Sequence, residues 1–152
     1  MKIDSFDISI LKIMQGNSKI KSETIAETVG LSATACQRRI KRLRDSGVIE
    51  SEIAVLKPNA LGGWVSLVVQ IVLERGGAQT VDQFKKQMRD TPEVQQCFYV
   101  TGEYDFVLIV VVRDMSAYEL LTRQLFFENP LIRKFNTIVS METVKRGLAL
   151  PL

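Results

Sequence analysis

Apolar residues recur at helical spacing through the first fifty positions and at alternating spacing beyond position 63, so the pattern divides the chain in two. In the first part, Asp4 is placed to cap a helix carrying Phe6, Ile10, Leu11 and Met14, which Gly16-Asn17 ends. Ser22 is placed to cap a second, with Ile25, Ala26 and Val29 on one stripe and Gly30 at its end. A short turn, Gly30-Leu31-Ser32, leads to a third helix over 33–45 capped by Ser32, the helix-turn-helix pattern. Val48 to Leu56 reads as a strand or wing, and Lys57-Pro58-Asn59-Ala60-Leu61-Gly62-Gly63 as a hinge.

The second part predicts strands at 64–74, 94–100, 106–112 and about 132–144. Between them lie two helices, one opened by a Thr80/Gln83 capping box with Val81, Phe84 and Met88 on one face, the other by Ser116/Glu119 with Ala117, Leu120, Leu121 and Leu125. The order β-α-β-β-α-β is the ferredoxin-like split pattern, with both helices on one face of a four-stranded sheet. The expected class is α+β: a winged-helix-like helix-turn-helix domain over 1–56, a linker over 57–63 and a ferredoxin-like domain over 64–152.

Alternation along the first strand sets Val65, Leu67, Val69, Ile71 and Leu73 on one face and Trp64, Val68 and Val72 on the other, beside Ser66 and Gln70; FVLIVVV is apolar on both. A sheet covered on one side only should alternate apolar and polar residues. The excess of apolar residues predicts a dimer formed through the open face.

Charge sharpens the reading of the third helix. Residues 1–58 hold ten Lys plus Arg against seven Asp plus Glu, and residues 59–152 hold ten against ten, so the net charge of +3 belongs to the first part. At about 100° per residue, Cys36, Ile40 and Leu43 form the buried stripe, and Thr34, Gln37, Arg38, Lys41, Arg42 and Asp45 fall on the opposite half. Arg39 and Arg44 lie at the stripe's edges, suited to phosphates or to an acidic neighbour on the first two helices. A helix in the major groove reads bases from its first turns, which makes Ser32, Thr34, Gln37, Arg38 and Lys41 the candidate DNA contacts, with Arg39 and Arg42 beside them.

The absence of histidine removes the commonest general base and zinc ligand, and no nucleophile-base pair or metal cluster is visible, so an enzyme is not expected. Cys36 and Cys97 stand 61 positions apart and read as buried thiols. No apolar leader or membrane-length run is present, and the expected location is the cytoplasm.

Ile3-Asp4-x-x-Asp7-x-x-Ile10-Leu11, Ile25-Ala26, Val29-Gly30-Leu31-Ser32, Arg38-Arg39-Ile40-x-x-Leu43 and Gly47-Val48-Ile49 resemble the amino-terminal domain of the Lrp/AsnC (leucine-responsive, feast/famine) transcriptional regulators. Pro92-Glu93-Val94, Val100-Thr101-Gly102-Glu103-Tyr104-Asp105 and the final strand resemble that family's RAM domain. The resemblance implies a prokaryotic, nucleoid-associated regulator that binds double-stranded DNA, dimerises, assembles further into tetramers or octamers, and takes an amino acid as effector rather than a cofactor. Carried over by position, the effector site comprises Thr101, Gly102, Tyr104 and Asp105, with Tyr99 beside them and Ile138, Val139 and Ser140 supplied by a facing subunit. Asp105 suits an α-ammonium group and Gly102 a close backbone approach. The same residues also read as a plain hairpin in which Gly102 makes the turn and Asp105 bonds its own backbone. Glu50-Ser51-Glu52 and Asn129-Pro130-Leu131 depart from the family's pattern, the first setting carboxylates where a wing would meet phosphates. The leading expectation is a sequence-specific, effector-responsive regulator; the alternative is an architectural, DNA-compacting protein without an effector.

Overall fold

The computed structural model describes residues 2–75 and 77–152. The chain divides into two compact units, one formed by the residues up to Val55 together with Arg146–Leu152, the other by Leu56–Lys145.

The first unit holds three helices, α1 (Ser5–Gly16), α2 (Ser22–Val29) and α3 (Ala33–Asp45). Asp4 opens α1 with a reciprocal box: its carboxylate accepts from the Asp7 N–H at 2.9 Å, and the Asp7 carboxylate accepts from the Asp4 N–H at 3.2 Å. Gly30 ends α2 at φ +74°, a conformation that costs glycine nothing, and Ser32 caps α3 by accepting from the Ala35 N–H. Ile10, Met14, Ile25, Ala26, Cys36, Ile40 and Leu43 bury into one core, so the Cys36/Ile40/Leu43 stripe holds α3 down as its spacing predicts. Burial pushes the Cys36 thiol up, away from the thiolate. The Gln15 side chain fixes the carboxyl-terminal segment by exchanging two hydrogen bonds with the Leu150 backbone, at 3.1 and 2.6 Å.

A polar clasp joins α1 to α3 at the rim of this core. Asp7 is fully buried, and its two carboxylate oxygens accept from Arg39 at 2.8 Å and Arg42 at 2.6 Å; Arg39 also reaches Asp4 at 2.7 Å. Both acidic partners raise the Arg39 guanidinium above its ordinary value. A buried carboxylate is tolerated only when charge and hydrogen bonds compensate its lost hydration, and three donors, two of them cationic, do so here.

In the second unit a 3-10 turn (Pro58–Leu61) precedes β1 (Val65–Leu73), α4 (Gly77–Arg89), β2 (Val94–Tyr99), β3 (Phe106–Val112), α5 (Met115–Thr122) and β4 (Ile132–Val139). All pairings are antiparallel in the order β2-β3-β1-β4. This is the expected split pattern. Leu67, Val69, Ile71, Phe106, Leu108 and Val110 point to the helices and meet Phe84, Met88 and Phe126. Each such side chain contributes roughly 1.5–3 kcal/mol when fully buried. A π-helical turn (Arg123–Phe127) continues α5 and sets Leu125 and Phe126 inward. Asn129 then stops the helix: its amide donates to the Leu125 carbonyl at 3.0 Å and its oxygen accepts from the Leu131 N–H at 3.0 Å, so Asn129-Pro130-Leu131 forms a capped corner.

Several local expectations are corrected. Val48–Leu56 joins no sheet among the described residues; Ile53 and Val55 are exposed, and Glu52 instead receives two 3.0 Å bonds from Arg44. Ser22 is the first residue of α2 rather than its cap, and Lys21 holds the cap position without a side-chain bond. Thr80 and Gln83 lie inside α4, which starts three residues ahead of Thr80. Asp114 caps α5 in place of Ser116, accepting from the Ala117 N–H at 2.8 Å; aspartate is at least as good a cap, and it comes first in the chain. Leu120 faces solvent while Tyr118 and Thr122 are buried. The final strand stops at Val139, five residues short of expectation. Cys97 is exposed on the edge strand β2. Among the described residues no helix is long and apolar enough to cross a membrane.

The Asp7 N–H and the Arg39 side chain hold the Asp4 carboxyl below its ordinary value. A depressed folded-state pKa means that ionised Asp4 stabilises the fold above the ordinary carboxylate range and ceases to as pH falls through the lowered value. The protection factors of the α1 amides, taken against the intrinsic exchange rate at each pH, should therefore fall below about pH 4. Asp4→Asn keeps the capping oxygen but not the charge, and should flatten that acid limb relative to the wild type.

Candidate functional site

The basic helix presents three kinds of side chain. Cys36, Ile40 and Leu43 are buried; Thr34, Gln37, Arg38, Lys41 and Arg42 are exposed on the outer face; Arg39 is half-buried between α1 and α3. Four of its five cations already have acidic partners within the unit. Arg39 and Arg42 hold Asp7, Lys41 reaches Asp45 at 2.5 Å one turn on, and Arg44 holds Glu52. Arg38 alone makes no side-chain hydrogen bond or ion pair among the described residues, and its guanidinium faces solvent in the second turn.

Of the candidate contacts, Ser32 is engaged through its hydroxyl as the cap of α3, and Gln37 donates from Nε2 to the Ser22 hydroxyl at 3.0 Å across the turn. The edge position of Arg39 is explained by its acidic neighbours, Asp4 and Asp7. In the sequence Asp7 figures only as part of the family motif, yet its spacing from Asp4 forms the D-x-x-D box and, one turn into α1, it faces α3. Arg44 also changes the sense of the acidic Glu50-Ser51-Glu52 stretch, since it neutralises Glu52 locally.

In the second unit the corner between β2 and β3 clamps the end of β1. The Asp105 N–H donates to the Ile71 carbonyl at 2.8 Å, its Oδ2 accepts from the Leu73 N–H at 2.7 Å, and its own carbonyl accepts from the Val100 N–H at 2.9 Å. Asp105 therefore binds a neighbouring strand rather than its own turn, and Oδ1 makes no hydrogen bond among the described residues. Gly102 has φ +122°, which only glycine adopts freely, with open space where a Cβ would sit. Thr101 and Gly102 are exposed, and Tyr104 is half-buried.

Tyr99 packs on Phe106 at 4.9 Å between ring centres and carries the Lys85 ammonium 4.9 Å above its ring. With Asp105, Lys85, Asp82, Thr80 and Arg133 it lines an open groove of about 680 Å³ at the start of α4. Lys85 and Arg133 carry no motif that would have marked them in the sequence.

Ile138, Val139 and Ser140 lie elsewhere. Ser140 pairs with Ser66 and Asp105 with Ile71, five residues apart along β1, or about 17 Å at a strand's rise. A single chain does not bring the two halves of the expected effector site together. On the open sheet face Ile138, Val68 and Ile109 form an apolar row across β4, β1 and β3, flanked by Val107, Val111 and Phe98; Phe98 is 50% and Ile138 49% exposed. Asn136 and Gln70 bond each other at 2.9 Å on the same face.

Comparison with known proteins agrees with both units. The AsnC-type helix-turn-helix domain matches residues 3–44, and the Lrp/AsnC ligand binding domain matches residues 66–150. An uncharacterized HTH-type transcriptional regulator of Sinorhizobium fredii is 47% identical over 152 residues, covering 100% of this chain and 90% of its own. The leucine-responsive regulatory protein of Haemophilus influenzae is 35% identical over 144 residues, covering 95% of this chain and 87% of its own. A transcriptional regulator of Neisseria meningitidis, solved as a complex with L-Met, superimposes with a TM-score of 0.90 at 26% identity over 99% of this chain and 97% of its own. With a helix-turn-helix whose basic helix is held by its own acidic clasp, a four-stranded α+β unit behind it in the sequence, and family matches to both, the chain belongs to the Lrp/AsnC family of transcriptional regulators and is not an enzyme.

Proposed function

We propose that this regulator selects particular DNA sequences through α3 and responds to an amino acid bound at the β2–β3 corner of a subunit assembly. The observation that carries the DNA reading is the isolation of Arg38. Of five cations on the helix it is the one left uncompensated among the described residues, and it sits in the turns that reach base edges in a major groove. Arginine grips guanine O6 and N7 with two bonds, worth roughly 1–3 kcal/mol of discrimination. Thr34, Gln37 and Lys41 share its face, whereas Arg39 and Arg42 serve first to orient the helix and reach phosphates with what remains of their donors.

The effector reading rests on the Asp105 corner. Oδ1 remains available for an α-ammonium group while Oδ2 is fixed on the Leu73 N–H, and the left-handed Gly102 leaves the backbone uncovered. The neighbour's complex with L-Met supports an amino acid as ligand class. Since Ser140 lies about 17 Å, and Ile138 about 10 Å, along β1 from the Asp105 corner within one chain, a complete site draws those residues from another subunit. The apolar row Ile138/Val68/Ile109 supports the dimer that such sharing requires.

Three outcomes are expected. Arg38→Ala should lower affinity for a selected operator by roughly 1–3 kcal/mol in a titration at fixed salt while leaving random DNA nearly unaffected; equal losses on both would remove Arg38 from base reading. A thermal-shift series over the twenty amino acids should show at least one that raises the melting temperature, and Asp105→Asn should weaken that response. A ligand at 100 times its dissociation constant adds about 2.7 kcal/mol, so a flat series would favour the architectural alternative. Sedimentation of Val68→Asp should show a smaller species or an unfolded chain, and a folded dimer of unchanged affinity would place the subunit interface elsewhere.

A further inference from the structure

Ser22 sits where a helix cap was expected, yet it caps nothing. Lys21 holds the cap position, and the Ser22 hydroxyl is turned across the helix-turn-helix to α3. It accepts from Gln37 Nε2 at 3.0 Å and donates to Glu23 Oε2 at 3.3 Å. The direction of this chain is set at its far end. A carboxylate can only accept, so the Ser22 proton goes to Glu23 and the hydroxyl is left to accept from Gln37. The Gln37 amide is thereby held with one N–H spent on Ser22, and with Oε1 and one remaining N–H to offer.

That pair of groups has a specific complement. Adenine presents an acceptor, N7, and a donor, N6–H, at its major-groove edge, and an amide with one N–H and one carbonyl meets both. Guanine presents two acceptors, N7 and O6. An unrestrained glutamine can turn its NH2 group toward guanine and offer both hydrogens, whereas one tied to Ser22 has a single hydrogen left and sets its carbonyl oxygen against an acceptor.

We propose that Ser22, oriented by Glu23, is a specificity-determining residue that locks the Gln37 amide in the polarity that favours adenine over guanine at the base pair Gln37 reads. The proposal rests on the reading of α3 as a base-contacting helix. Ser22 acts through Gln37 and is a positioning residue, and its effect is confined to the sequence preference at one position of each half-site. The hydroxyl is a hydrogen-bond partner rather than a packing group, and alanine is accommodated in the first turn of a helix.

The test uses the full chain and an operator selected from randomised duplexes, with affinities for all four base pairs at each position. Wild type, Ser22→Ala, Ser22→Thr and Gln37→Ala are compared, with random duplex and melting temperature as controls. At the base pair where Gln37→Ala abolishes the preference, Ser22→Ala should shrink the adenine-over-guanine ratio by about two- to tenfold, the range of one neutral hydrogen bond. Affinity for random DNA and melting temperature should not move, and Ser22→Thr, which keeps the hydroxyl, should retain the wild-type ratio. An unchanged ratio in Ser22→Ala overturns the proposal, as does an even loss across all sequences, which would mark a phosphate contact or a folding role. If Gln37→Ala alters no position while the wild type still discriminates, Gln37 is not the reader and the proposal falls with it. A wild type that fails to distinguish operator from random duplex overturns the broader reading as well.

Discussion

A single buried carboxylate, that of Asp7, organises the amino-terminal unit. Its oxygens close the capping box of α1 and hold two arginines of α3, so the start of one helix fixes the roll of another. The apolar stripe of Cys36, Ile40 and Leu43 supplies the larger energy but tolerates some rotation, since hydrophobic contact is not directional. The clasp is directional. Two guanidinium groups one turn apart reach one carboxylate only over a limited range of helix roll, and that roll decides which residues face outward. Removing one arginine would leave the buried charge half-compensated, so the arrangement is held from both sides.

The architecture was legible because its signals are local and repeated. The Gly30-Leu31-Ser32 turn, the alternation in β1 and β3 and the helical stripes each recur over several residues, and the elements they predict are present. Errors gathered where two local signals competed or where the outcome depended on distant partners. Both Asp114 and Ser116 can cap α5, and the chain uses the earlier one. Val48–Leu56 has the composition of a strand, but among the described residues its backbone joins no sheet. Cys97 reads as a buried thiol because it has no cysteine partner nearby in sequence, yet it is exposed on an edge strand.

The site was legible in part. Helical spacing alone separates the outer face of α3 from its core face, because that geometry is fixed by the backbone. What spacing does not reveal is which cations are already engaged, since their partners, Asp4, Asp7 and Glu52, lie up to 35 positions away in sequence. For the corner at Asp105, the sequence names the residues but not the strand they clamp, and Leu73 enters only through the antiparallel register of β1 and β3.

The pairing of four cations on α3 with acids of the same unit bears on how the regulator responds to its ionic surroundings. Counterion release on DNA binding scales with the phosphates a protein newly neutralises, at a slope near −0.9 per phosphate in log affinity against log salt. A helix with five free cations would bind steeply and indiscriminately at low ionic strength. Here Arg39, Lys41, Arg42 and Arg44 bring their own counter-charges, which lowers the number of counterions this helix would release on a phosphate backbone. On the proposed reading of Arg38, such internal neutralisation lowers the affinity of α3 for phosphate while leaving Arg38 uncompensated among the described residues.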